Sequence, residues 1–160
     1  MSGHGAPSGD VSDLDASGLA VTIVAGRWHD EIADGLLAGA RRTLEATGAT
    51  ITVISAPGSF ELPVLAKAAL EAGADAVVAL GVIIRGGTPH FEFVSDAATT
   101  GLTQVAIQTG KPIGFGVLTL DDEQQGLDRA GLPGSKEDKG TEAAEAAVRT
   151  ALAIREIRGA

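Results

Sequence analysis

Apolar positions along this chain follow two alternating rhythms. Short runs rich in β-branched residues give way to longer stretches where apolar residues recur at helical spacing. Leu19 to Ala25 (LAVTIVA) predicts a first strand. Over Asp30 to Thr47, Ile32, Leu36, Leu37, Ala40 and Leu44 share one helical face, and Gly48 predicts the stop. Thr50 to Ser55 (TITVIS) predicts a second strand broken by Pro57-Gly58, and Leu62 to Ala72 a second helix ended by Gly73. Ala76 to Ile84 (AVVALGVII) is apolar throughout, as a strand covered on both faces should be. Beyond a turn over Arg85 to Thr88, Phe91 to Gln108 predicts a helix with Phe93, Val94, Ala97, Ala98 and Leu102 on a shared face. Pro112 to Leu120 (PIGFGVLTL) predicts the fourth strand. A short helix near Asp122 to Ala130 and a longer one over Thr141 to Arg158, carrying Ala147, Leu152, Ile154 and Ile157, complete the pattern.

Repeated strand-helix alternation implies parallel strands joined by right-handed crossovers. The expected fold is therefore a three-layer α/β domain of flavodoxin-like type, a four-stranded parallel sheet with helices on both faces. Ligands of such folds sit at the carboxyl ends of the strands. The 160 residues suit one domain and show no break in composition. Residues 1–17, rich in Gly, Ser and Asp and including His4, are expected to form a disordered tail, with residues 18–160 as the domain. The start of the chain lacks the basic and apolar segments of a signal peptide, and no apolar run approaches the roughly 20 residues of a membrane span.

Composition narrows the function. Residues are 44% hydrophobic but only 3% aromatic, so the core must be built of Ala, Val, Leu and Ile, and each aromatic becomes informative. A net charge of −9 argues against a nucleic-acid groove or an anionic membrane surface as partner. It leaves room for an anionic small molecule, which needs only a few local donors. Without cysteine the chain offers no disulfide, thiolate nucleophile or Cys-based metal site, which fits a cytoplasmic location. No metal-ligand cluster is evident.

Read in order, the strand ends carry Gly26-Arg27-Trp28-His29, then Pro57-Gly58-Ser59-Phe60-Glu61, then Arg85-Gly86-Gly87-Thr88-Pro89-His90-Phe91-Glu92, and last Thr119-Leu120. Gly86 and Gly87 lack a Cβ, so an anion can approach their amides and the backbone is free to take positive φ. Thr88 adds a hydroxyl, and Pro89 suits the first turn of a helix whose free N–H groups favour negative charge. By itself this pattern is equally a plain strand-to-helix turn, and it lacks the GKS or GKT of a nucleotide triphosphate loop. His90 stands beside it as a candidate proton-transfer residue, with Glu92 close enough in sequence to orient it; alone it reads as readily as a solvated histidine. Trp28, the one tryptophan, is either a stacking surface for a planar heterocycle or an aromatic at the core edge, and Phe60 and Phe115 pose the same choice. Arg129 and Lys139 lie in RAGLPGSKEDKG, where surface charge is the ordinary reading.

Five blocks, GRWHDEIADGLLAGA, PGSFELP, ALGVIIRGGTPHFEFV, GFGVLT and LDRAGLPGSKEDKG, stand in an order and spacing that resemble the 6,7-dimethyl-8-ribityllumazine synthase family from Leu19 to Arg158. The resemblance implies a transferase of riboflavin biosynthesis. It would condense 5-amino-6-(D-ribitylamino)uracil with 3,4-dihydroxy-2-butanone 4-phosphate, releasing phosphate and water, with no cofactor. It also implies that Trp28 stacks on the pyrimidinedione, that Ser59, Phe60 and Glu61 hold the ribityl chain and ring edge, and that Val82, Ile83 and Ile84 line the ring pocket. Gly86, Gly87, Thr88 and Arg129 would bind phosphate and His90 would move protons. Phe115, Arg129 and Lys139 would arrive from a neighbouring subunit of a pentamer, and riboflavin synthase would be a pathway partner. Leu120 departs from the threonine common in relatives. The loop from Leu132 to Lys139 is longer than in relatives that form sixty-subunit shells, which favours the pentamer. A non-catalytic lumazine- or riboflavin-binding protein is the alternative on the same pocket, but it has no need of His90 or the phosphate donors; a scaffold that works by assembly is a third reading.

Overall fold

The two rhythms resolve into alternating strands and helices in a computed structural model, which describes residues 5–7 and 10–159. Strand β1 (Ala20–Gly26) leads into helix α1 (Asp30–Thr47), and β2 (Thr50–Ala56) into a 3-10 turn (Ser59–Glu61) and α2 (Leu62–Glu71). Next, β3 (Ala76–Ile84) leads into α3 (His90–Thr109), and β4 (Ile113–Leu120) into α4 (Glu123–Leu127) and α5 (Lys139–Ile157). Most boundaries fall within two residues of the sequence expectation. The short helix is the exception: it stops at Leu127 because Ala130 leaves it to form an antiparallel bridge with Asp138. Asp138 in turn caps α5 by accepting from the Thr141 amide at 3.0 Å, so that helix starts earlier than its apolar pattern suggests.

All strands are parallel, in the order β2-β1-β3-β4. The chain moves from β1 to β2 on one side, then crosses back to build β3 and β4 on the other. That reversal opens a crevice at the carboxyl ends of β1 and β3, the usual ligand position in an open α/β sheet. β3 is buried at every position but the last, as its unbroken apolar run requires. Its side chains alternate between two cores: Val78, Leu80 and Val82 face α1 and α5, while Val77, Ala79 and Ile83 face α2 and α3. Each large aliphatic side chain fully removed from water contributes roughly 1.5–3 kcal/mol, so Ile23, Leu36, Leu44 and Leu62, all buried, anchor the layers. Lys111 ties the second core together, donating to the carbonyls of Leu70 at 2.9 Å and Ala74 at 2.8 Å where α2 ends.

Part of the segment expected as a tail is held by the domain. Ala16 is fully buried and its amide donates to the Thr47 carbonyl at 2.7 Å, while Leu14 packs on the α1–α5 core. Arg149 donates to the Asp10 carbonyl at 3.0 Å. Ordered packing therefore reaches back to Asp10; His4 lies outside the described residues. Among those residues no helix is long and apolar enough to cross a membrane.

Candidate active site

The first three strand ends converge on one cleft of about 650 Å³, within the range of small-molecule sites. Trp28 follows β1. The next residue, His29, is the one non-glycine among the described residues with a positive φ (61°), and this left-handed turn sends the chain from β1 into α1 immediately after the indole. Such a backbone costs an L-residue roughly 1–2 kcal/mol, so rigid surroundings must hold it. Trp28 remains 64% exposed, which removes the core-edge reading and leaves its face available to a ligand.

The second wall comes from the segment after β2. Gly58 is extended and lies so close to its neighbours that a Cβ there would stand 3.1 Å from Trp28 Nε1 and 3.3 Å from a Glu61 carboxylate oxygen. Indole and carboxylate therefore meet over a glycine. Ser59 is buried because β3 lacks a side chain at Gly81, where a Cβ would meet Ser59 Oγ at 2.5 Å. Phe60, 64% exposed, stands beside them at the mouth. Val82, Ile83 and Ile84 supply the apolar floor.

The third wall is the turn between β3 and α3. Gly86, Thr88 and His90 line the cleft, and Gly87 lies in the turn without lining it. Neither glycine adopts positive φ, contrary to one of the reasons given for them. Their value lies in open space, because a Cβ at either would meet nothing within 4 Å among the described residues. An anion can thus approach the backbone unobstructed by protein. Thr88 Oγ1 lies 3.5 Å from the His90 amide, at the limit of a hydrogen bond.

Glu92 does not orient His90. It pairs with Arg85, whose guanidinium also donates to Asp121 at 3.1 Å. The Arg85 hydrogen bond lowers the Glu92 pKa below the ordinary carboxylate value, keeping it ionised and occupied. Among the described residues no side chain holds the His90 imidazole, which stands exposed at the start of α3. Sequence reasoning passed over His29, Gly58, Phe91, Phe93 and Val94 as lining residues. The signal for the first three was present, since all lie in the strand-end segments quoted above.

Phe115, Arg129 and Lys139 stand apart from this cleft in the single chain. Phe115 is half-exposed on β4, in a shallow groove with Ile107 and Ile113. Arg129 donates to the Gln125 carbonyl at 2.8 Å and lies 3.7 Å from Glu137. Lys139 is no solvated surface charge: its side chain is 12% exposed, 2.8 Å from Glu142 and 3.3 Å from Glu137. Burial pulls its pKa down, but the Glu142 hydrogen bond and the charges of Glu142 and Glu137 outweigh it, so the ammonium stays protonated more firmly than usual. Leu120 turns away from the rim into the α1–α5 core. Among the described residues no cluster of three or more His, Asp or Glu could hold a metal ion.

Residues 18–155 match the 6,7-dimethyl-8-ribityllumazine synthase family. Over all 160 residues, and the whole of its relative, the chain is 78% identical to the 6,7-dimethyl-8-ribityllumazine synthase of Clavibacter michiganensis subsp. michiganensis. It is 73% identical to the protein of the same name from Leifsonia xyli subsp. xyli, over 99% of this chain and all of the relative. The corresponding Kineococcus radiotolerans protein is 63% identical, over 98% of this chain and 96% of the relative.

Proposed function

Because the chain belongs to the 6,7-dimethyl-8-ribityllumazine synthase family, we propose that its cleft condenses 5-amino-6-(D-ribitylamino)uracil with 3,4-dihydroxy-2-butanone 4-phosphate in riboflavin biosynthesis. The products are 6,7-dimethyl-8-ribityllumazine, phosphate and water. The observation that carries this reading is the meeting of an exposed indole, a carboxylate, an open anion turn and an imidazole around one cavity. Trp28 stacks on the pyrimidinedione, Ser59, Phe60 and Glu61 hold the ring edge and ribityl chain, and Val82, Ile83 and Ile84 form the floor. The amides of Gly86 and Gly87, with Thr88, receive the phosphate.

Amine addition to the ketone, loss of phosphate and loss of water each require protons to move. His90, next to the anion turn, is the group that moves them. The protein's larger contribution is positioning, since two reactants held in register avoid much of the entropic cost of encounter. Mixing the protein with both substrates and following lumazine absorbance and fluorescence tests the reading. A rate no faster than the uncatalysed background would overturn it.

The site is completed by a neighbouring copy in a homopentamer, with Phe115, Arg129 and Lys139 crossing the interface. Supporting this, Phe115, Ile107 and Phe93 expose large apolar area on one set of elements, and Phe60, Val64 and Ile54 on another. Mass photometry is expected to find a particle of five chains; one near a megadalton would mean a shell instead. The enzyme is expected to be cytoplasmic, with riboflavin synthase consuming its product.

A further inference from the structure

We propose that Arg85 is a positioning residue for the anion site, bracketing the turn over residues 86–89 between the end of β4 and the first turn of α3. The inference deepens the function proposed above and rests on it.

Arg85 is fixed to the sheet by its own backbone, whose amide donates to the Leu120 carbonyl at 2.8 Å. Its side chain then reaches in three directions. Nε donates to Asp121 at 3.1 Å, just past β4; the other end of the fork pairs with Glu92 in α3; and the guanidinium carbon lies 4.3 Å from the centre of the Phe91 ring. Phe91 itself lines the cleft, so the stack braces one wall of the site.

The turn needs such a brace. Among the described residues no atom would contact a Cβ on Gly86 or Gly87, so the body of the domain does not pack against those faces. Open space admits the anion but supplies no support, and the turn is held from its ends. One end is Arg85 on the sheet. The other is α3, with Pro89 at φ −67° before it and Glu92 in its first turn. By linking these ends, Arg85 fixes where the free amides point and where His90 begins.

A second effect is electrostatic. Glu92 carries negative charge close in sequence to a turn that must accept a phosphate. Arg85, shared with Asp121, offsets part of that charge while leaving the amides free. Lysine would keep the charge but has no planar fork to join two carboxylates while lying over an aromatic ring.

The test uses the full chain, with Arg85→Lys and Arg85→Gln assayed while each substrate is varied in turn. Arg85→Gln is expected to raise KM for the phosphorylated butanone about tenfold, the scale of losing two half-exposed ion pairs and a stack. KM for the pyrimidine should stay within about twofold, and Arg85→Lys should fall between Gln and wild type. Inhibition by inorganic phosphate should weaken in parallel with the butanone effect. Equal changes in both KM values, or none, would overturn the bracket. If Arg85→Gln does not fold, Asp121→Asn removes one arm; it should give a smaller rise confined to the butanone, and no such rise would equally overturn the proposal. A wild-type chain that makes no lumazine defeats the function itself, whereas an active wild type with unmoved variants defeats only the role of Arg85.

Discussion

Replacing Gly86 by Ala separates folding from catalysis at the anion turn. A Cβ at this position would meet no atom of the described residues within 4 Å, and the backbone is not left-handed, so an L side chain fits without strain. Loss of glycine also narrows the unfolded ensemble, which is worth about 0.4–1 kcal/mol where the native conformation is compatible. Melting temperature should therefore hold or rise by up to about 4 °C for a chain this size. The space that the new methyl fills is the approach to the cleft, because Gly86 lines it. If the phosphate rests on these amides, the methyl holds it away and weakens charge-assisted hydrogen bonds worth about 1.5–3 kcal/mol. That corresponds to roughly a tenfold to hundredfold loss of kcat/KM for the butanone phosphate. Gly87→Ala is the comparison: its surroundings are just as open, but it does not line the cleft, so its methyl should obstruct the phosphate less and cost less activity than the one at Gly86. Calorimetry and steady-state kinetics on both variants decide the matter. Gly86→Ala with full activity would refute an anion at this face, and a loss shared equally by both substrates would place the damage elsewhere.

His90→Ala should lower turnover by about a hundredfold while leaving both KM values nearly unchanged, measured by lumazine formation against the uncatalysed rate. Trp28→Ala should raise KM for the pyrimidine about tenfold, with Trp28→Phe retaining most affinity. Since the indole is mostly exposed, its removal should change stability by no more than about 0.5 kcal/mol in denaturant titration. Arg129→Ala should weaken use of the phosphorylated butanone about tenfold or more and spare pyrimidine binding; equal losses would show that Arg129 is no phosphate ligand.

The layers of this fold were legible because each strand is short and β-branched and each helix long and periodic. β3 shows why: AVVALGVII needs cover on both faces, and only a central strand has it. The parity of β4 also explains Leu120, since it shares a face with Leu118 and so must enter the α1–α5 core rather than the rim. Other features depend on tertiary placement. Nothing local reveals that Glu92 is claimed by Arg85 across a turn, because His90 is the nearer residue in sequence. The left-handed backbone of His29 is likewise weakly marked, as histidine takes such a turn more often than most residues but far less often than glycine. In the amino-terminal segment, the Ser, Asp and Gly background masks Leu14 and Ala16, two apolar residues that find the core.

The proposed ring fits the apolar surfaces that the described residues leave exposed. β2 and β4 are opposite edges of the sheet, and each exposes apolar side chains, Val53 and Ile54 on one and Phe115 on the other. These patches differ in residues and in the helices beside them. A two-fold contact joins a patch to its own copy, so neither edge alone would satisfy both in a dimer. Joining one edge to the other is a head-to-tail contact, and such contacts either close into a ring or run on as a fibre. On the proposal that Phe115, Arg129 and Lys139 cross the interface, the β4 side of one subunit would lie toward the open face of the next subunit's cleft. Trp28 and Phe60 would then gain the cover that a single chain lacks, and the phosphate turn would gain the cations it lacks. One contact would therefore both bury the aromatic surface and complete the charge of the site, which is why assembly and catalysis should fail together when that interface is broken.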